Sequence, residues 1–171
     1  MLEESRKEEV EYRVLGIDPG LADTGYALIR ECNGTLVLQE GGLIRTNSQM
    51  ALTCRLREIY EELMKVMESY KPSVVAVEDL YTDYRHPGTA VLMGHARGVC
   101  LLAAARYGLE VINYSPARVK KSLTGNGRAS KGQVKAMVRV TLNLREEPGS
   151  EHVADAIAIA LCHLRELKFR K

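Results

Sequence analysis

Three acids and a histidine, widely spaced in the chain, could together hold divalent metal. Asp18 ends a short apolar stretch, Arg13-Val-Leu-Gly-Ile-Asp18, and is followed by Pro19 and Gly20. Glu78 ends a second one, Ser73-Val-Val-Ala-Val-Glu78. His152 and Asp155 lie far downstream, three residues apart, in a run of alanine and isoleucine. Neither apolar stretch offers a polar face, the pattern of strands covered on both sides in mid-sheet. A carboxylate closing such a strand is unfavourable unless positive charge compensates it, and a metal ion is an obvious source. Hard cations such as Mg²⁺ take oxygen ligands and keep positions for water and substrate phosphate. Two ions about 4 Å apart can activate a water and stabilise the leaving oxygen of a phosphodiester. A histidine at the fourth corner could ligate metal or move protons. Asp155 stands out because its neighbours place it on a helix face that should be inside. Asp79 and His163 read as a loop carboxylate and a helix-surface or core histidine.

The elements that must position these groups follow from hydrophobic period and turn chemistry. Pro19 holds Asp18 extended and Gly20 lets the chain turn. Asp23-Thr24-Gly25 reads as a turn, Tyr26 to Cys32 as a returning strand, and Asn33-Gly34 as a hairpin turn. Thr35 to Gln39 and Gly42 to Arg45 complete a three-stranded meander, with a bulge expected at Gly41-Gly42. Leu52, Leu56, Ile59, Leu63, Val66 and Tyr70 recur at helical spacing over 48–70, with Ser48 as N-cap. If the strands ending at Asp18 and Glu78 are parallel neighbours, both carboxylates share one sheet edge. Each then stands above small residues, Gly16 and Ala76, that admit another element. Residues 79–89 are a polar loop holding Tyr81 and Tyr84. A helix rich in small residues follows over 89–107, suited to close packing on the sheet or on a second copy of itself. A strand at 110–115, a short helix opened by Pro116, a helix over 130–144 and a final helix over 150–169 complete the chain. His152 and Asp155 share one face of that last helix.

A chain of 171 residues, 46% hydrophobic and 27% charged, suits one globular domain. Residues 1–12 hold five acids against two bases and no apolar face, and are expected to be a flexible arm before a single domain at 13–171. The start lacks a basic region followed by an apolar one, so no secretion signal is expected. The four cysteines are not spaced for structural zinc and read as reduced, buried thiols of a cytoplasmic protein. From Val111 to Arg145 there are eight Lys or Arg and no acid. Lys120, Lys121, Arg128, Lys131 and Lys135 in that run can neutralise backbone phosphates, which points to nucleic acid. Tyr81, in a polar loop beside Glu78, suits base stacking; Tyr84 is a weaker candidate.

Gly16-Ile-Asp-Pro-Gly20, Val77-Glu78, Gly94-His-Ala-Arg-Gly98 and His152-Val-Ala-Asp-Ala-Ile-Ala-Ile-Ala160 resemble, in order and spacing, the RuvC family of Holliday-junction resolvases. The resemblance runs from Arg13 to His163. It implies an α/β, ribonuclease-H-like fold: a mixed five-stranded sheet, three strands in an antiparallel meander and the others parallel, flanked by helices. It implies a homodimer that nicks two opposed strands of a four-way junction symmetrically, in recombination and repair, using two Mg²⁺ per active site or Mn²⁺ in their place. A branch-migration helicase complex is the implied partner. Asp18, Glu78 and Asp155 match the family's metal-binding carboxylates, and His152 matches a fourth catalytic position that is Asp in some members and His in others. Tyr81 matches an aromatic that stacks near the crossover, and Lys120 and Lys131 match lysines that contact DNA. Asp79 and His95 depart from the residues usual at their positions. A related nuclease acting on RNA or other branched DNA and a non-catalytic junction-binding protein are the alternatives. An actin-like ATPase is disfavoured, because its phosphate loop would be repeated in a second domain.

Overall fold

The computed structural model describes residues 11–79 and 87–169. Residues 1–10 of the arm expected at 1–12, and the loop tyrosines Tyr81 and Tyr84, lie outside the described residues. Strand β1 (Tyr12–Asp18) is the centre of a five-stranded sheet with order β3-β2-β1-β4-β5. It pairs antiparallel with β2 (Asp23–Cys32), which pairs antiparallel with β3 (Thr35–Arg45). On its other side β1 runs parallel to β4 (Val74–Glu78), and β4 runs parallel to β5 (Val111–Tyr114). The expected meander with parallel strands beside it is therefore present.

Helices cover both faces. Val14, Val74 and Ala76 pack against α5 (Glu151–Phe169), with α3 (Pro116–Thr124) and α4 (Lys131–Thr141) beside it. On the opposite face Leu15, Ile17, Val75 and Val77 meet α1 (Leu52–Tyr70) and α2 (Pro87–Arg106). Val14, Leu15, Ile17, Val75, Ala76 and Val77 have no solvent exposure. That agrees with the absence of a polar face in either strand, since parallel strands between two helical layers are apolar throughout.

Several boundaries differ from the sequence reading. Glu11 and Tyr12, expected in the arm, are tied down: Glu11 pairs with Arg13 and Arg30, and Tyr12 opens β1. Asp23-Thr24-Gly25 is strand rather than turn, the first three residues of β2. The turn lies just before it, at Gly20, closed by the fully buried Thr24, whose hydroxyl donates to the Gly20 carbonyl at 2.6 Å. The bulge falls at Gln39, not at Gly41-Gly42: Leu28 pairs with Glu40 and Ile29 with Leu38. Ser48 does not cap α1, which starts at Leu52 behind Ala51. Asn47 instead holds residues 47–50 in a turn, its side chain accepting from the Gln49 amide at 2.9 Å. Helix α4 stops at Thr141 rather than 144, and Ser130 caps it with a reciprocal bond from Gln133.

Helix α2 lays Ala96, Cys100, Ala103 and Ala104 into the core. Its opposite face leaves Val91, Leu92 and Leu102 exposed. A methyl group at Gly98 would meet nothing within 4 Å, so packing on the protein's own sheet does not explain that glycine. The four cysteines are free thiols; Cys100 and Cys162 are buried, while Cys32 and Cys54 are only partly so.

Candidate active site

Asp18 and Glu78 sit at the C-terminal ends of adjacent parallel strands, in a register that pairs Gly16 with Ala76 and Ile17 with Val77. By alternation both side chains fall on the α5 face. That face is built for close approach. A methyl at Gly16 would stand 2.1 Å from the Ala156 carbonyl oxygen, and one at Gly25 would stand 2.1 Å from the His152 carbonyl oxygen. Gly25 is the β2 partner of Asp18. Only glycine at these two points lets the first turns of α5 rest on the sheet, which brings His152 over Asp18.

His152 Nδ1 lies 2.7 Å from Asp18 Oδ2, in hydrogen-bond contact. Asp18, Glu78, His152 and Asp155 line one cleft of about 290 Å³. Its apolar wall includes Val119 of α3, Val134 of α4 and Ala158 of α5, and Lys120 and Lys131 complete the rim. Three stretches of chain, β1, β4 and α5, thus converge on one acidic hollow.

The electrostatics are those of negative charge held out of water. Burial foremost, and then the charges of Asp18 and Asp155, push the Glu78 carboxyl up to about 7 against the opposing pull of Lys120 and Lys131. Burial likewise raises Asp18; the hydrogen bond from His152 opposes that rise and the charge of Asp155 adds to it. Asp155 is raised by burial and eased by Lys131. Such a cluster repels its own ionisation and favours a cation entering it. Among the described residues no three His, Cys, Asp or Glu side chains are drawn together closely enough to hold a metal ion as they stand. The donor set nonetheless suits a hard divalent ion: three partly desolvated carboxylates and one imidazole, with an apolar wall behind them.

The basic residues divide. Lys120 faces the cleft. Lys131 reaches across it, 3.0 Å from Glu151 and 3.9 Å from Asp155, and Lys135 lies 3.8 Å from Glu151. Lys121 points elsewhere, into a separate hollow with Arg118, Ser122, Arg165 and Glu166. Arg128 is exposed in the connection between α3 and α4. His163 is a core residue and no part of the cleft: its Nδ1 lies 2.9 Å from the Tyr114 hydroxyl and its Nε2 3.2 Å from the Tyr12 hydroxyl. His95 is exposed on α2. Sequence reasoning missed Gly25, for which a glycine inside an apolar strand was the available signal, and Glu151, whose only sign was its place beside His152.

A sheet ending in two carboxylates, crossed by a helix that adds a third, defines the ribonuclease-H-like class. The family model for the crossover junction endodeoxyribonuclease RuvC matches residues 14–163. The Rhodopirellula baltica RuvC is 49% identical over 149 residues, covering 87% of this chain and 84% of that protein. The Alkaliphilus oremlandii RuvC is 44% identical over 150 residues, covering 88% and 91%. Thermus thermophilus RuvC, solved in complex with a Holliday junction substrate, superposes with a TM-score of 0.88 at 35% identity, over 93% of this chain and 96% of that one. The chain belongs to the RuvC family of crossover junction endodeoxyribonucleases.

Proposed function

We propose that this protein is a structure-selective endonuclease that resolves four-way DNA junctions by nicking two opposed strands symmetrically. The observation that carries the reading is the convergence of Asp18, Glu78, His152 and Asp155 on one cleft rimmed by Lys120 and Lys131. Asp18, Glu78 and Asp155, with His152, are the residues that would hold two Mg²⁺, or Mn²⁺ in their place. Such ions supply activation of the attacking water and stabilisation of the leaving oxygen.

The chain's own residues do the rest. Lys120 and Lys131 stand where a scissile phosphate would enter, and neutralise it. Phosphate entry exchanges the Lys131 contact with Glu151 for one with DNA. His152, bonded to Asp18 through Nδ1, fixes that carboxylate and leaves Nε2 as the nitrogen that would ligate metal. Tyr81, three residues after Glu78, is the candidate stacking platform at the crossover. Lys121 and Arg128 lie outside the cleft and would touch flanking phosphates.

The protein acts as a homodimer through α2 in this reading. Val91, His95, Gly98 and Leu102 recur at helical spacing and form one exposed stripe, which a second copy would cover. A two-fold axis there sets two clefts at a fixed separation, one for each opposed strand. A branch-migration helicase would deliver the junction.

Competition between a four-way junction, a linear duplex and an RNA–DNA hybrid of equal length tests substrate choice. The junction is expected to be bound and cut first with Mg²⁺ present. Preferential cutting of the hybrid would instead select the alternative of a nuclease acting on RNA.

A further inference from the structure

Arg97 lies in the Gly94–Gly98 motif, and nothing in the reading above uses it. It sits on α2, on the sheet face opposite the cleft, and its side chain is only 16% exposed. From there it reaches the end of β4. Its Nε donates to the Glu78 carbonyl oxygen at 3.1 Å. Its Nη2 donates to Asn113 Oδ1 at 2.5 Å and to Asp79 Oδ1 at 3.3 Å. The ladder between β1 and β4 has already stopped at Ile17–Val77, so Glu78 stands past the last rung on that side. On the other side the Asp79 amide bonds to Tyr114, which leaves the Glu78 carbonyl to Arg97.

We propose that Arg97 is a positioning residue for Glu78: its guanidinium clamps the Glu78 carbonyl against Asn113 and Asp79 from behind the sheet and so aims the carboxylate into the cleft. The side chain of Glu78 points to the α5 face with Val74 and Ala76, while Arg97 arrives with the α2 layer. Arg97 therefore works on the backbone and does not touch the carboxylate. The planar fork is what the task needs, since it bonds a carbonyl through Nε and two side chains through Nη2; an ammonium offers no such fixed directions. Asp79 has a role in the same clamp, as the acceptor that draws the fork toward the strand end. The inference rests on the reading of Glu78 as a metal-holding residue.

The test compares wild type, Arg97→Ala, Arg97→Lys and Asn113→Ala as full-length proteins. Three quantities are read: the turnover number on a four-way junction with Mg²⁺, junction affinity in EDTA, and Mn²⁺ affinity by titration calorimetry. Arg97→Ala is expected to lower kcat between about tenfold and a hundredfold, as misplacement of a reacting group does. Mn²⁺ affinity should weaken by about tenfold, the scale of a lost supporting contact. Junction affinity should stay at the wild-type value, and Arg97→Lys should restore little. Asn113→Ala keeps the bond to Glu78 and should lose less kcat, in the same direction; it carries the test if Arg97→Ala does not fold. Wild-type kcat and Mn²⁺ affinity in the folded variants would overturn the proposal. So would full rescue by lysine, or a loss that falls on junction affinity alone. Absence of junction cleavage by wild type would sink the functional reading instead, and the Mn²⁺ titration would still decide the role of Arg97.

Discussion

Asp18 is the most buried of the four site groups, 7% exposed, with His152 as its hydrogen-bond partner. Asp18→Asn keeps its shape and removes its charge. It should abolish cleavage and leave junction binding intact in a gel-shift assay; cleavage at near the wild-type rate would remove Asp18 from the mechanism. Glu78 gives a pH signature. Its carboxyl is raised from 4.5 to about 7 in the folded protein. Between those values the folded state holds a proton that the unfolded state has released, so stability falls as pH rises. In EDTA the melting temperature should be lower at about pH 8 than at about pH 5.5, and Glu78→Gln should flatten the difference. Mg²⁺ should raise the melting temperature more at the higher pH, where the carboxylate is ionised. A profile that rises with pH in EDTA would contradict this. Lys131→Ala should weaken binding across all sequences and reduce the salt slope of junction affinity by about one.

At the scale of elements, the decisive contact is α5 on β1 and β2. Gly25→Ala would drive a methyl into the His152 backbone, and overpacking of that kind costs about 1–3 kcal/mol. Chemical denaturation should show that loss, with activity falling further because His152 and Asp155 move with the helix. Unchanged stability and activity would mean α5 docks differently. Much of this arrangement was legible in the sequence. Two strands without a polar face, each closed by an acid, predicted their place in mid-sheet, and Gly16 and Ala76 predicted the approach of another element if the two strands paired as parallel neighbours. What was not legible depended on contacts distant in sequence. Asp23-Thr24-Gly25 has turn chemistry locally, but pairing with Arg45, Ile44 and Leu43 draws it into the sheet. Ser48 has the chemistry of a helix cap, but Asn47 takes the preceding residues into a turn of their own. Glu11 looks like part of a charged arm until Arg13 and Arg30, on neighbouring strands, meet it.

For the whole molecule, the account turns on two clefts acting together. Leu102 is 60% exposed on the α2 stripe. Leu102→Glu should leave the fold intact and shift the protein from dimer to monomer in sedimentation, with paired nicking lost. A dimer that survives the change would place the interface elsewhere. The most direct measurement is cleavage of a supercoiled plasmid that extrudes a four-way junction, with Mg²⁺ present and enzyme limiting. Two opposed nicks in one encounter give linear plasmid from the earliest time points, and that is the predicted product. Nicked circles that accumulate first, or no cleavage at all, would contradict the account.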